Sequence, residues 1–144
     1  MIHAQTMKGS MLFLADMTSA ETATAALDTL GAHYATIAIN AKLDGTATTL
    51  SGITLALTES DDATTYATFD SDNAISGWNP GTAGKVHVYH VNLQKRKRYL
   101  KVSLTTGAGG TTNDNAVVSA VGFLSRNESN PASTTGLGDV VVIS

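Results

Sequence analysis

Apolar and polar side chains alternate along most of this chain with a period close to two. The run Lys85-Val86-His87-Val88-Tyr89-His90-Val91 alternates cleanly. So does Tyr99-Leu100-Lys101-Val102-Ser103-Leu104, with Leu100, Val102 and Leu104 on one face. In residues 48–58, Ile53, Leu55 and Leu57 face one way while Thr54, Ala56 and Thr58 face the other. Successive side chains on a strand point to opposite faces, so each run predicts a half-buried strand. Residues 34–40, 116–124 and 140–143 complete the strong runs, and residues 11–15 and 66–69 add two short ones. The expectation is about eight strands.

Turn chemistry separates them. Leu43-Asp44-Gly45, Glu59-Ser60-Asp61-Asp62, Asn79-Pro80-Gly81, Gly107-Ala108-Gly109-Gly110 and Asn113-Asp114-Asn115 all lie between apolar runs. Gly and Asn accept positive φ, while Asp and Ser bond their own backbone. Short strands at near-regular spacing predict an all-β fold, an antiparallel sandwich of the jelly-roll kind. One stretch is ambiguous: Thr18 or Ser19 can cap a helix over residues 21–30 that Gly31 would stop. Its three threonines make that helix marginal. Residues 1–20 read as an extended N-terminal arm and 21–144 as a single sandwich domain.

Composition agrees with strands. Thr (21), Ala (20), Gly (13) and Ser (12) supply 66 of the 144 residues, and Thr packs better on a pleated surface than on a helix. The absence of Cys excludes disulfides, thiolate metal sites and a Cys nucleophile. No apolar run approaches the ~18 residues of a helical membrane span, and the run at 11–15 is short for a secretion signal. A net charge of −3 gives no global attraction to nucleic acid or membrane.

Candidate chemistry is sparse. His87 and His90 are three apart on a strand, so they face opposite ways and cannot share a metal. His3 and His33 lack partners at ligand spacing. The acidic residues Glu59, Asp61, Asp62, Asp70 and Asp72 fail the calcium-loop pattern after its third position. Gly81-Thr82-Ala83-Gly84-Lys85-Val86 fails as a phosphate loop, with Val where Ser or Thr must hold magnesium. No nucleophile elbow accompanies the Ser, His and Asp residues. Asn127-Glu128-Ser129 matches a glycosylation sequon and reads as accidental. Neither a catalytic residue, a metal nor a cofactor is expected.

Two features point to partners. Lys95, Arg96, Lys97, Arg98 and Lys101 place five of nine basic residues in seven positions. They are either a solvated turn or a contact for an acidic protein surface. The sole tryptophan, Trp78, lies in the loop-like Ile75-Ser76-Gly77-Trp78-Asn79-Pro80, as a lid on the core or as an interface anchor.

Three segments together resemble the small β-sandwich decoration, or cement, proteins of tailed-bacteriophage capsids. One is the hairpin Ile53-Thr54-Leu55-Ala56-Leu57-Thr58-Glu59-Ser60-Asp61-Asp62-Ala63-Thr64-Thr65-Tyr66, with a Ser-Asp-Asp-x-x-Thr turn before an aromatic. The second is the basic-aromatic strand Lys97-Arg98-Tyr99-Leu100-Lys101-Val102-Ser103-Leu104-Thr105-Thr106-Gly107. The third is Val117-Val118-Ser119-Ala120-Val121-Gly122-Phe123-Leu124. The resemblance covers residues 50–126. It implies a non-catalytic virion protein on the capsid exterior, present in the host cytoplasm during assembly. Its partners would be the major capsid protein and its own copies, as a homotrimer or homodimer at a local symmetry axis. Neither nucleic acid nor membrane is implied. In that setting the arm, with Met1, Met7, Met11 and Met17, would lie over neighbouring subunits, and residues 130–138 would make a second extended contact. The competing expectation is a tail- or fibre-associated sandwich that binds carbohydrate. Sugar sites present aromatic platforms, which a chain with 6% aromatic residues is poorly equipped to supply.

Overall fold

The computed structural model describes residues 7–44, 52–68, 74–108 and 115–125, together with the backbone of 139–143. Among the described residues there are nine strands and no helix. They are β1 (Lys8–Met17), β2 (Thr22–Asp28), β3 (Tyr34–Leu43), β4 (Ile53–Ser60), β5 (Ile75–Trp78), β6 (Lys85–Asn92), β7 (Tyr99–Thr105), β8 (Ala116–Ser125) and β9 (Asp139–Ile143). The tail at 130–138, the sequon at 127–129, Asp70 and Asp72 lie outside the described residues.

The strands form a five-stranded sheet in the order β1-β8-β3-β6-β9 and a four-stranded sheet in the order β2-β7-β4-β5. Strand β1 pairs with β8, β2 with β7, β3 with β6 and β4 with β5, all antiparallel. This nesting of first with last is a long hairpin rolled into two layers, the jelly roll. Strand β9 departs from it by adding parallel to β6.

The inner faces make the core. Ile37, Ile39, Tyr89, Val91 and Val118 of one sheet meet Leu55, Leu57, Leu100, Val102 and Leu104 of the other, all fully or almost fully buried. These are the positions that the alternation rule selects, because only one face of each strand meets the opposing sheet.

Four local expectations are corrected. Of the extended arm expected over residues 1–20, Lys8 to Met17 form β1 and pair with β8, while residues 1–6 lie outside the described residues. The marginal helix is β2: Ala23, Ala25 and Leu27 point inward at every second position, and Thr22, Thr24 and Ala26 point out. Of the strand expected at 66–69, the described residues 66–68 make one bridge, between Glu59 and Ala67. The loop-like Ile75–Trp78 is β5, an edge strand.

Two irregularities explain why alternation missed β1 and β5. In β1 the register slips between Met11 and Phe13, so adjacent Leu12 and Phe13 both pack against the core. In β5 Gly77 sits at φ 73, and the register slips between Ile53 and Leu55 of its partner. Ile75 and Trp78, three apart, therefore both reach the core. A bulge inserts one residue and reverses the facing of everything beyond it.

Candidate functional site

The basic turn lies at one end of the sandwich, between β6 and β7, and the fold brings acidic groups to it. Arg98 donates from Nε to Asp28 Oδ1 at 2.9 Å and from Nη2 to Asp28 Oδ2 at 2.7 Å. This paired contact holds the Asp28 carboxyl down to about 2 and raises the guanidinium further. Lys97 Nζ lies 3.1 Å from Asp61 Oδ2, and its backbone N–H donates to Glu59 Oε2 at 3.1 Å. The Lys101 ammonium stands 4.1 Å from the centre of the Tyr66 ring. Arg96 is half-buried, and Lys95 is exposed.

The acidic run has a structural task of its own. Asp62 Oδ1 accepts from the backbone N–H groups of Thr64 and Thr65, each at 2.9 Å, and from Ser60 Oγ at 2.7 Å. The Thr65 and Thr64 bonds, with that of Ser60, hold its carboxyl well below the usual carboxylate range. The Ser-Asp-Asp-x-x-Thr pattern is thus a turn that closes on itself. Among the described residues no three His, Asp or Glu side chains gather as metal ligands.

The linear stretch of +5 therefore meets Asp28, Glu59 and Asp61 in space, leaving a mixed surface of about +2. Of the five cations, Lys97, Arg98 and Lys101 are held by local partners. Sequence reasoning treats the two charge runs separately because β2 and β4 reach the turn only through pairing with β7.

Trp78 is buried, which corrects its candidacy as an exposed interface anchor. Its ring stands edge-on to His87 at 6.1 Å, and His87 in turn to Tyr89 at 4.7 Å. The indole comes from β5 of one sheet and the imidazole from β6 of the other, so the contact closes one side of the sandwich. His87 points inward, whereas His90 points outward, where its Nδ1 meets Thr36 Oγ1 at 2.9 Å. Partial burial lowers the His90 pKa.

A surface that the sequence did not flag is the outer face of the five-stranded sheet. The inward set on β8 is Ala116, Val118, Ala120, Gly122 and Leu124, which leaves Val117, Ser119, Val121 and Phe123 outside. Pairing aligns them with Met11 and Leu14 of β1 and with Ala38 and Asn40 of β3. Val86, Val88 and His90 of β6 continue the face. Met11, Leu14, Val86, Val117 and Phe123 are all exposed. Asp16 and Lys42 are the charged side chains on this face among those described. A depression of about 360 Å³ opens between Asn40, Lys42, Val86 and Val117. Apolar outward residues were visible as letters in the alternation, but alternation does not say which face is covered.

Fold and surface define a jelly-roll β-sandwich with a charge-poor apolar outer sheet. No protein-family model and no curated protein matches the chain. Among solved structures, the fold is similar to that of the PBSX exported protein XepA, with a TM-score of 0.55 and 17% sequence identity over 90% of this chain. The match spans 40% of the XepA chain, so the likeness is one of fold across part of a longer protein.

Proposed function

We propose that this chain is a bacteriophage virion structural protein that binds the outer surface of the assembled major capsid protein and stabilises the shell, without catalysis or a cofactor. The observation that carries the reading is the outer face of the five-stranded sheet, where Val86, Val117 and Phe123 stand exposed among small side chains. Contiguous exposed apolar surface marks a site of protein association. Small residues such as Ala38, Ser119 and Thr36 lose little side-chain entropy when covered. On a lattice, many copies of a modest contact add up through avidity. The resemblance of residues 50–126 to capsid decoration proteins supports the same role, and the fold likeness to the PBSX exported protein XepA supports its coarser part, a phage-associated β-sandwich.

The basic turn takes a smaller part in this reading. Lys95, exposed in the turn, is the cation that would steer the chain toward an acidic capsid surface. The carbohydrate alternative loses its principal support, because the Trp78 ring that would form a platform lies in the core.

Co-sedimentation with assembled capsids tests the proposal. The chain should pellet with them, and Val86→Asp combined with Val117→Asp should abolish pelleting while the melting temperature is retained. Lys95→Glu should weaken binding only at low salt. A chain that stays in the supernatant at every salt concentration would exclude capsid binding.

A further inference from the structure

We propose that two copies of this chain join edge to edge through β1, in antiparallel register with Met11 of one copy opposite Leu14 of the other. Strand β1 is the edge of the five-stranded sheet, ten residues long, and among the described residues no strand lies beyond it. Such an edge presents a row of backbone donors and acceptors, and proteins usually blunt it with proline or central charges. Neither occurs here between Gly9 and Ala15. Instead the most exposed apolar side chains in this strand, Met11 at 66% and Leu14 at 70%, stand on it.

The β1 irregularity makes that edge self-complementary. Residues three apart normally face opposite ways, yet Met11 pairs with Val121 and Leu14 with Ser119, both on the outer face of β8. With a two-fold axis between Leu12 and Phe13, Met11 meets the partner subunit's Leu14 and Leu14 meets the partner subunit's Met11. Four exposed apolar side chains then cover one another across the seam. The same register sets Gly9 opposite the partner subunit's Asp16 on the outer face and Lys8 opposite the partner subunit's Met17 on the inner one, so every pair shares a face. A parallel pair related by a two-fold would turn one sheet over and put the exposed Met11 and Leu14 of the two copies on opposite faces, so the antiparallel second copy is the occupant. The joined outer faces would form one ten-stranded sheet across the pair.

This inference stands independently of capsid binding and is read on the purified chain. Light scattering after size exclusion should give twice the chain mass, and Leu14→Lys should give a monomer with an unchanged melting temperature. Because the chain has no cysteine, Met11→Cys combined with Leu14→Cys should yield a disulfide-linked dimer under mild oxidation. Residues 11 and 14 of one strand lie too far apart to bridge within a chain. A wild-type monomer at high concentration, a trimer, or a dimer that persists with Leu14→Lys and does not cross-link would overturn the proposal.

Discussion

The carboxylate of Asp28, at the end of β2, holds the guanidinium of Arg98, seventy residues away, through two near-parallel hydrogen bonds of 2.9 and 2.7 Å. The pair is nearly half exposed on both sides, so solvent screens it. Asp28→Asn is therefore expected to cost at most about 1 kcal/mol at neutral pH. The folded pKa, near 2, lies below the usual carboxylate value of 3.8. The stabilisation is thus complete above pH 4 and lost as pH falls toward 2. Urea unfolding of both proteins at pH 7 and pH 2 should show a gap that closes at the lower pH, and a constant gap would rule out this origin.

His90 works in a different pH window. Its partial burial beside Thr36 disfavours the imidazolium, so the folded pKa lies below 6.5. The unfolded chain then binds the extra proton first, and stability falls as pH drops below about 6.5. Thermal midpoints from pH 7.5 to 5 should decline more steeply for the wild type than for His90→Gln. Parallel curves would show that His90 contributes nothing to acid sensitivity.

Gly122 faces inward on β8 because the space beside it is taken. A Cβ there would lie 3.2 Å from Leu27 Cδ2 and 3.4 Å from Leu12 Cδ1. Both are ends of flexible side chains, so Gly122→Ala should be nearly neutral. Gly122→Val adds two further methyls to the same gap and should destabilise by about 1–3 kcal/mol. Equal denaturation midpoints for Val and Ala would refute the packing account.

Trp78 closes the side of the sandwich against His87. Trp78→Ala is expected to destabilise by about 3–5 kcal/mol, with Trp78→Phe costing distinctly less. As the chain's sole tryptophan, its fluorescence should be blue-shifted in the folded protein and shift red on unfolding. A native emission typical of exposed indole would contradict the buried placement.

Much of the fold was legible in the chain. Strands β3, β4, β6, β7 and β8 follow from alternation, because each has one face against the opposing sheet and one toward solvent. Strand β2 was legible too, in Ala23, Ala25 and Leu27, but the capping signal at Thr18 and Ser19 competed with it. Thr18 and Glu21 do bond one another, through the Thr18 N–H and Glu21 Oε2 at 2.7 Å. That contact closes a turn between strands rather than starting a helix, because β7 supplies the pairing that holds β2 extended.

The candidate site was less legible. The basic run was visible as letters, but its partial neutralisation by Asp28, Glu59 and Asp61 depends on contacts across 36 to 70 residues of chain. The outer face and the β1 edge were hidden for a related reason. A period of two identifies two faces without saying which is buried, and a bulge at Leu12 changes the phase midway.

By itself the sequence determined that this protein is built of strands, where most of them lie and which side chains fill the core. The reason is local: alternation, β-branched residues and turn formers act within a few positions of one another. Only the tertiary structure decided that β1 meets β8 and β2 meets β7, that Trp78 is core, and that the apolar surface lies on the outer sheet. Those outcomes come from pairing between distant segments, where the energy of burying two faces together selects one arrangement from many that the local pattern permits.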